Sequence, residues 1–201
     1  MALYDTAVTT EEIIIAVYRI LGSLPVLFFP FPGAIFAMLI DNFDVLPKGT
    51  LDEGGVRDYH SFDKWLDLVY MVTFLIVALR WQGVARNIAV GLFVYRMIGV
   101  AAFEVTQNRD VLIFFPNLFE FWFVFVAGIK FFRLDEQWRG EPRHGGLVPF
   151  RYEGGQLAAV FAVMLAIKLP QEYMLHVGRW LDRYTAVDTV EWLWRVLTPP
   201  F

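Results

Sequence analysis

The sequence has no cysteine among its 201 residues and is poor in charge, with 17 Lys and Arg against 21 Asp and Glu. The absence of cysteine excludes disulfides, cysteine-ligated iron–sulfur clusters and a thiol nucleophile. The formal net charge of -4 argues against nucleic acid as a partner, because its binding requires a basic surface. The sequence also lacks a P-loop, a dinucleotide-binding glycine motif, an HExxH zinc motif and a nucleophile elbow, so none of those enzyme classes is indicated.

Apolar residues are abundant instead, at 57% of the chain, while charged residues make up only 19%. Soluble domains are typically about 45–50% apolar and about 25% charged. The apolar residues are concentrated in five runs, and runs of about 18 residues or more are typical of transmembrane helices. The five runs cover residues 13–40, 65–79, 88–105, 111–132 and 156–169.

The runs predict an all-α fold, an integral membrane helical bundle of about five transmembrane helices with amphipathic interfacial helices at the termini. We expect a single domain, residues 1–201, in a cell membrane as a multi-pass protein, most simply a bacterial inner membrane, with membrane lipids as partners and an oligomer allowed. The first run leaves two arrangements open: a helix to about Gly22 followed by a proline-bent span, or a re-entrant pair. The predicted spans are about 24–41, 64–82, 87–105, 111–132 and 155–176, and the predicted C-terminal interfacial helix is about 186–197.

Some ionisable residues fall inside the apolar runs. A charge at bilayer depth costs roughly 2.5–3.5 kcal/mol on insertion scales, so such residues usually pair and often act in function. Arg96 lies twelve positions before Asn108 in the turn TQNRD, and Glu120 lies twelve positions after it. In an antiparallel hairpin of two continuous helices the two side chains reach the same depth. The spacing therefore predicts an ion pair between Arg96 and Glu120.

A second charged group surrounds Pro170. Lys168 and Glu172 are four residues apart and therefore share one helix face, which His176 continues. Two roles are open for the charged residues. They could form a structural clasp, meaning ion contacts that only hold helices together, or a polar pocket that binds a lipid headgroup or relays protons. The candidate catalytic residues of that pocket are Arg96, Lys168, Glu172 and His176. The residues expected to line it are Arg96, Glu120, Lys168, Glu172, Arg143 and Arg151.

Two aspartate pairs flank the linker between the first two runs, in LIDNFDVLPKGTLDEGGVRDYHSFDKWLDLVY (39–70). Asp41 and Asp44 are three residues apart, and Asp63 and Asp67 are four apart, so each pair shares a helix face. Four carboxylates brought together would suit Mg²⁺ or Mn²⁺. Solvated or helix-capping roles, and a funnel that attracts cations to a channel, are the alternatives.

At these residues the sequence resembles the CDP-alcohol phosphatidyltransferases. The strings DNFD and DKWLD match the family's two aspartate pairs, while Val45 and Tyr59 stand where the family has glycines. The resemblance implies a Mg²⁺ or Mn²⁺ ion held by the four aspartates, with a phosphotransferase-like activity on lipids. Separately, DKWLD, FPNLFE and KLPQEYMLH resemble segments of bacterial integral membrane proteins of unassigned function.

Two functions follow from these patterns, and the sequence leaves the choice open. The first is divalent-cation-dependent chemistry on a lipid headgroup or lipid phosphate, with Asp67 as the candidate base and with Arg96, Lys168 and linker arginines neutralising phosphate charge. The second is a small ion- or proton-coupled channel or transporter lined by Glu120, Lys168, Glu172 and His176. A non-catalytic membrane scaffold is the third alternative.

Overall fold

The computed structural model of the chain is built from helices. Of the regular structure that it describes, all is helical, which confirms the all-α prediction for those residues. The described residues are 10–43, 59–132, 134 and 150–173. Within them, the side chains of residues 10–12, 41–43, 59–65, 67 and 109 are not described.

Six α-helices and two 3₁₀ helices account for these ranges. The α-helices are α1 (Thr10–Ser23), α2 (Pro30–Phe43), α3 (Tyr59–Ala78), α4 (Gly83–Thr106), α5 (Leu118–Phe131) and α6 (Gly154–Glu172). The 3₁₀ helices are Leu24–Leu27 and Arg109–Phe114. The described residues divide into two compact units between Gln82 and Gly83.

Two of the helices have the length and composition of membrane spans. The 24 residues of α4 include a window of mean hydropathy 1.8, and the 19 residues of α6 include one of 1.3. At 1.5 Å per residue they extend about 36 Å and about 28 Å, against roughly 30 Å of hydrocarbon in a bilayer. The other apolar helical segments of the described residues are shorter, so the five-span arrangement stays a prediction.

The burial of side chains along these two helices is the reverse of that in a soluble protein. Only 17% of the α4 window and 11% of the α6 window is buried. Large apolar side chains such as Val94, Ile98, Val163 and Ile167 are exposed. In water such a surface would be unfavourable, whereas acyl chains solvate it well. This distribution supports an association with membranes.

In the first unit, α1, α2 and α3 pack around the 3₁₀ helix Leu24–Leu27. Gly33 lets α2 approach this 3₁₀ helix closely, because a Cβ there would lie 2.6 Å from the backbone nitrogen of Val26. Arg80, which follows α3, donates a hydrogen bond of 3.1 Å to the carbonyl of Leu27. The stretch 24–41, predicted as one proline-bent span, is therefore divided between a 3₁₀ helix and α2.

In the second unit, α4 and α5 form the antiparallel hairpin that the sequence predicted. Along α5 and the residues before it, Trp122 contacts Ala85 of α4 and the Phe119 ring contacts Phe93. The carbonyl of Phe115 accepts a hydrogen bond from Arg96, so the two segments run in opposite directions. The turn begins at Gln107, whose φ of 53° is left-handed and whose N–H donates to the carbonyl of Phe103 at 2.7 Å. This left-handed residue ends α4 in the manner common at helix C-termini.

The second arm of the hairpin is interrupted rather than kinked. The 3₁₀ helix ends at Phe114, the segment Phe115–Asn117 is not helical, and α5 begins only at Leu118. Pro116 explains the break, since it has no N–H to donate and its ring disfavours a helical conformation for the residue before it. The carbonyl of Leu112, which Pro116 leaves without its α-helical donor, accepts the N–H of Phe115 at 3.0 Å. The predicted span 111–132 therefore contains a helix of only 14 residues.

We expect Gly99→Ala to lower the free energy of unfolding by about 1–3 kcal/mol, the usual effect of overpacking. A Cβ at position 99 would overlap the Cβ of Phe115, which sits on the backbone of the helix break and cannot rotate away. Gly91 on the same helix is the matched control, because a Cβ there would meet nothing within 4 Å. Gly91→Ala should raise the stability by roughly 0.5–1 kcal/mol through helix propensity.

Thermal unfolding of the purified variants in one detergent measures both changes. A Gly99→Ala variant as stable as Gly91→Ala would contradict the packing of the break against α4.

Candidate functional site

Three buried ionisable side chains meet between α5 and α6. The ammonium Nζ of Lys168 lies 3.5 Å from Glu172 Oε1 and 3.7 Å from Glu120 Oε2. Their relative exposures are 5% for Lys168, 7% for Glu120 and 2% for Glu172. We call Glu120, Lys168 and Glu172 the buried ion cluster.

The local sequence explains how each member reaches this point. Lys168 and Glu172 are one turn apart on α6, and their contact confirms that they share a helix face. Glu120 stands in the first turn of α5 because that helix begins at Leu118, just after the break. A carboxylate in the first turn is favoured by the positive end of the helix dipole.

Glu172 also holds the beginning of α5. Its Oε1 atom accepts a hydrogen bond of 3.1 Å from the backbone N–H of Asn117, the residue that precedes that helix. The first N–H groups of a helix have no partner within the helix and need one from outside. A side chain of α6 therefore caps the N-terminus of α5, which joins the two helices through one buried carboxylate.

The ammonium of Lys168 has two further neighbours. It donates a hydrogen bond of 3.2 Å to Gln171 Oε1, and it lies 5.5 Å from the centre of the Phe121 ring. A cation at this distance from an aromatic face is attracted by the ring quadrupole. The two carboxylate distances exceed the roughly 2.7–2.9 Å of charge-assisted hydrogen bonds. Lys168 is therefore shared between Glu120 and Glu172 rather than bonded tightly to one of them.

The helix break next to the cluster is held from a third helix. Arg96 on α4 donates a hydrogen bond of 2.7 Å to the carbonyl of Phe115, and its neighbour Tyr95 donates through its hydroxyl to the carbonyl of Phe114. Backbone groups outside regular helix need such partners wherever water is excluded. The break is thereby fixed by α4 on one side and, through Asn117, by Glu172 on the other.

A group of aromatic side chains joins the same three helices near the cluster. The indole Nε1 of Trp122 on α5 donates a hydrogen bond of 3.0 Å to the carbonyl of Ala85 on α4. The ring of Trp122 stacks on Phe161 of α6, with centroids 5.6 Å apart and planes 15° apart. Stacked aromatic pairs add about 0.5–1.5 kcal/mol beyond the area that they bury. Trp122 thus contacts both α4 and α6 from α5.

The predicted ion pair between Arg96 and Glu120 is wrong. Arg96 is half-buried and donates to a backbone carbonyl, while Glu120 contacts Lys168. The prediction assumed a continuous helix on both sides of the turn. The 3₁₀ helix and the non-helical residues before Leu118 change both the rise per residue and the direction of the side chains, so equal counts from Asn108 do not give equal depth.

The other predicted site residues either lie away from the buried ion cluster or are not among the residues and side chains that the structure describes. Arg151 forms an ion pair of 3.9 Å with Glu153, and the two side chains are 59% and 71% exposed. The positions of Asp41, Asp63 and Asp67 fall on described helices, but their side chains are not described. Asp44, Arg143, His176 and the interfacial helix 186–197 lie outside the described residues. The aspartate metal site therefore stays a prediction.

The sequence reasoning missed the contact between Glu120 and Lys168. It also missed Gln171 and Phe121 as neighbours of the ammonium. A signal for the position of Glu120 was present, because an asparagine directly before an apolar run, with a glutamate three residues later, is typical of a helix start. Reading Asn117 in that way would have placed Glu120 in a first turn.

No protein-family model matches this sequence, and it has no match among the curated proteins or the solved structures. The buried ion cluster is therefore characterised by its own geometry: the burial of the three charges, their separations, and their position beside a break in a helix.

We expect Lys168→Met to lower the free energy of unfolding by about 3–5 kcal/mol, because removing one partner of a buried ion pair leaves uncompensated charge. Neutralising all three members together, as Glu120→Gln, Lys168→Met and Glu172→Gln, should restore most of the stability. The exposed pair supplies the matched control: Arg151→Gln should change the stability by less than about 1 kcal/mol.

Denaturant unfolding in detergent micelles measures all three variants. A Lys168→Met variant no less stable than Arg151→Gln would contradict the buried ion cluster.

Proposed function

We propose that the chain is a multi-pass protein of a cell membrane, in contact with membrane lipids, in which the buried ion cluster carries a proton- or small-cation-coupled transport step. One observation carries this proposal: an ammonium is shared between two carboxylates, and all three groups are more than nine-tenths buried. The cluster belongs to the unit that contains α4 and α6, the two described helices that have both the length and the apolar composition of membrane spans.

Buried charges at membrane depth are usually associated with ion pathways and proton relays. Lys168 carries protons that it can offer to either carboxylate, since Glu120 and Glu172 both lie within 4 Å of it. A proton passed from Lys168 to Glu120 neutralises the ammonium on α6 and the carboxylate on α5 together. The cluster therefore supplies a means of coupling the movement of a cation to a movement between helices.

The break in the hairpin favours the same function. Secondary transporters commonly place their ion and substrate sites at interrupted helices, where freed backbone groups and helix ends face the bound species. Here the segment Phe115–Asn117 interrupts the second arm, and the carboxylates of Glu120 and Glu172 lie directly beside it. A structural clasp requires the ion contacts but has no need of the break.

The alternative of metal-dependent lipid chemistry remains a prediction. It depends on Asp41, Asp44, Asp63 and Asp67, whose side chains are outside the description. The described charges do not decide for or against it. Transport is preferred because the residues that would perform it are brought together by α5 and α6.

Reconstitution of the full chain into liposomes tests the transport proposal. With a pH-sensitive dye inside and the membrane potential clamped, the wild type should dissipate an imposed proton gradient faster than protein-free liposomes. Glu172→Gln should slow this flux at least tenfold, equivalent to about 1.4 kcal/mol in the barrier. The substitution removes the charge but retains an oxygen that can accept the Asn117 N–H, so it leaves the helix cap intact.

Arg151→Gln serves as the matched control and should leave the flux unchanged, since that pair is exposed and separate from the cluster. Folded wild-type protein that passes none of protons, sodium, potassium and methylammonium faster than empty liposomes would overturn the proposal.

A further inference from the structure

The surroundings of the Lys168 ammonium match the bonding pattern of a primary ammonium group. Such a group has three N–H donors and no acceptor. Three side-chain oxygens lie around Nζ, at 3.2 Å on Gln171, 3.5 Å on Glu172 and 3.7 Å on Glu120. The ring of Phe121 supplies an aromatic face at 5.5 Å.

We propose that these four side chains form a binding site for a primary ammonium ligand, and that Lys168 occupies it as an internal substitute for that ligand. The inference rests on the proposed function, for which it names the substrate class: a small primary amine in its ammonium form. A ligand and the Lys168 ammonium then compete for the same oxygens.

The shape of the site favours ammonium over metal cations. Ca²⁺ takes six to eight oxygen ligands at about 2.3–2.6 Å, and Mg²⁺ requires an octahedron at about 2.0–2.1 Å. The described side chains offer three oxygens at longer range and, in place of further oxygens, an aromatic ring. Aromatic faces attract organic ammonium groups, and the oxygens around Nζ supply one hydrogen bond, from Gln171, and two ion-pair contacts, from Glu172 and Glu120.

Helix α6 lacks a backbone hydrogen bond close to Lys168, the residue whose ammonium would have to leave the binding site. Pro170 lies inside α6 and cannot donate to the carbonyl of Ala166, so one bond of the ladder around Lys168 is missing. Helices bend most readily at such positions. Lys168 itself is attached by a flexible four-carbon stem.

The Lys168→Ala variant of the full chain tests the site. Alanine removes the atoms beyond Cβ, which n-propylammonium replaces in length and charge. In detergent at constant chloride and ionic strength, n-propylammonium should raise the Tm of Lys168→Ala saturably, by about 3 °C or more. The wild type should need at least tenfold more amine, because its own ammonium fills the site.

Two controls define the specificity. Sodium, potassium and tetramethylammonium chlorides should give no saturable shift, and the variant Lys168→Ala with Glu120→Gln and Glu172→Gln should not respond to n-propylammonium. If Lys168→Ala does not fold without amine, the yield of monodisperse protein extracted with and without n-propylammonium becomes the measurement, and its recovery supports the site.

No response of Lys168→Ala to n-propylammonium, in Tm or in yield, would overturn the inference. An equal response to sodium, potassium or tetramethylammonium would overturn it as well, since the site would then not distinguish a primary ammonium. The binding measurement does not depend on the flux measurement. Saturable binding of n-propylammonium to Lys168→Ala, without transport by the wild type, would refute only the proposed function. Transport by the wild type, without such binding, would refute only the ammonium site.

Discussion

The contacts of the Lys168 ammonium determine how α5 and α6 meet. Three ionisable groups are buried there, and burial of that kind is tolerated only while the charges remain together. A shift of α6 along α5 would separate Lys168 from Glu120 and break the ion pair between the two helices. Glu172 adds a further contact, because its carboxylate also accepts a hydrogen bond from the backbone N–H of Asn117, the residue that precedes α5. The packing of these helices and the chemistry of the site therefore depend on the same few atoms.

The helix break is the second constraint, and it explains why Arg96, in the apolar helix α4, contacts a backbone carbonyl and not a carboxylate of the described residues. Arg96 is used to satisfy the carbonyl of Phe115, a group that Pro116 and its neighbours keep out of regular helix. Gly99 allows the break to approach α4 closely. Arg96 and Gly99 of α4 thus form one structural unit with Pro116 of the break. This unit places the start of α5 where Glu120 can reach Lys168.

What could be predicted from the sequence was decided by distance along the chain. The span-like helices α4 and α6 follow from composition, and the contact between Lys168 and Glu172 follows from a spacing of four. The contact of Glu120 with Lys168 joins residues 48 positions apart and depends on where a helix starts after a proline, which counting along a continuous helix cannot give. Depth estimated by counting is reliable only within one uninterrupted helix.

A clasp and a binding site would use the same three side chains, but they place different demands on distance. Because the Coulomb attraction grows as charges approach, a contact that serves stability alone gains from the shortest separation that sterics allow. A site that loads and releases a cation must bind weakly enough to let it leave. The Lys168 ammonium lies 3.5 and 3.7 Å from its two carboxylates and within a proline-weakened turn. These separations and this placement favour the proposed exchange of partners over a contact that only fastens the helices.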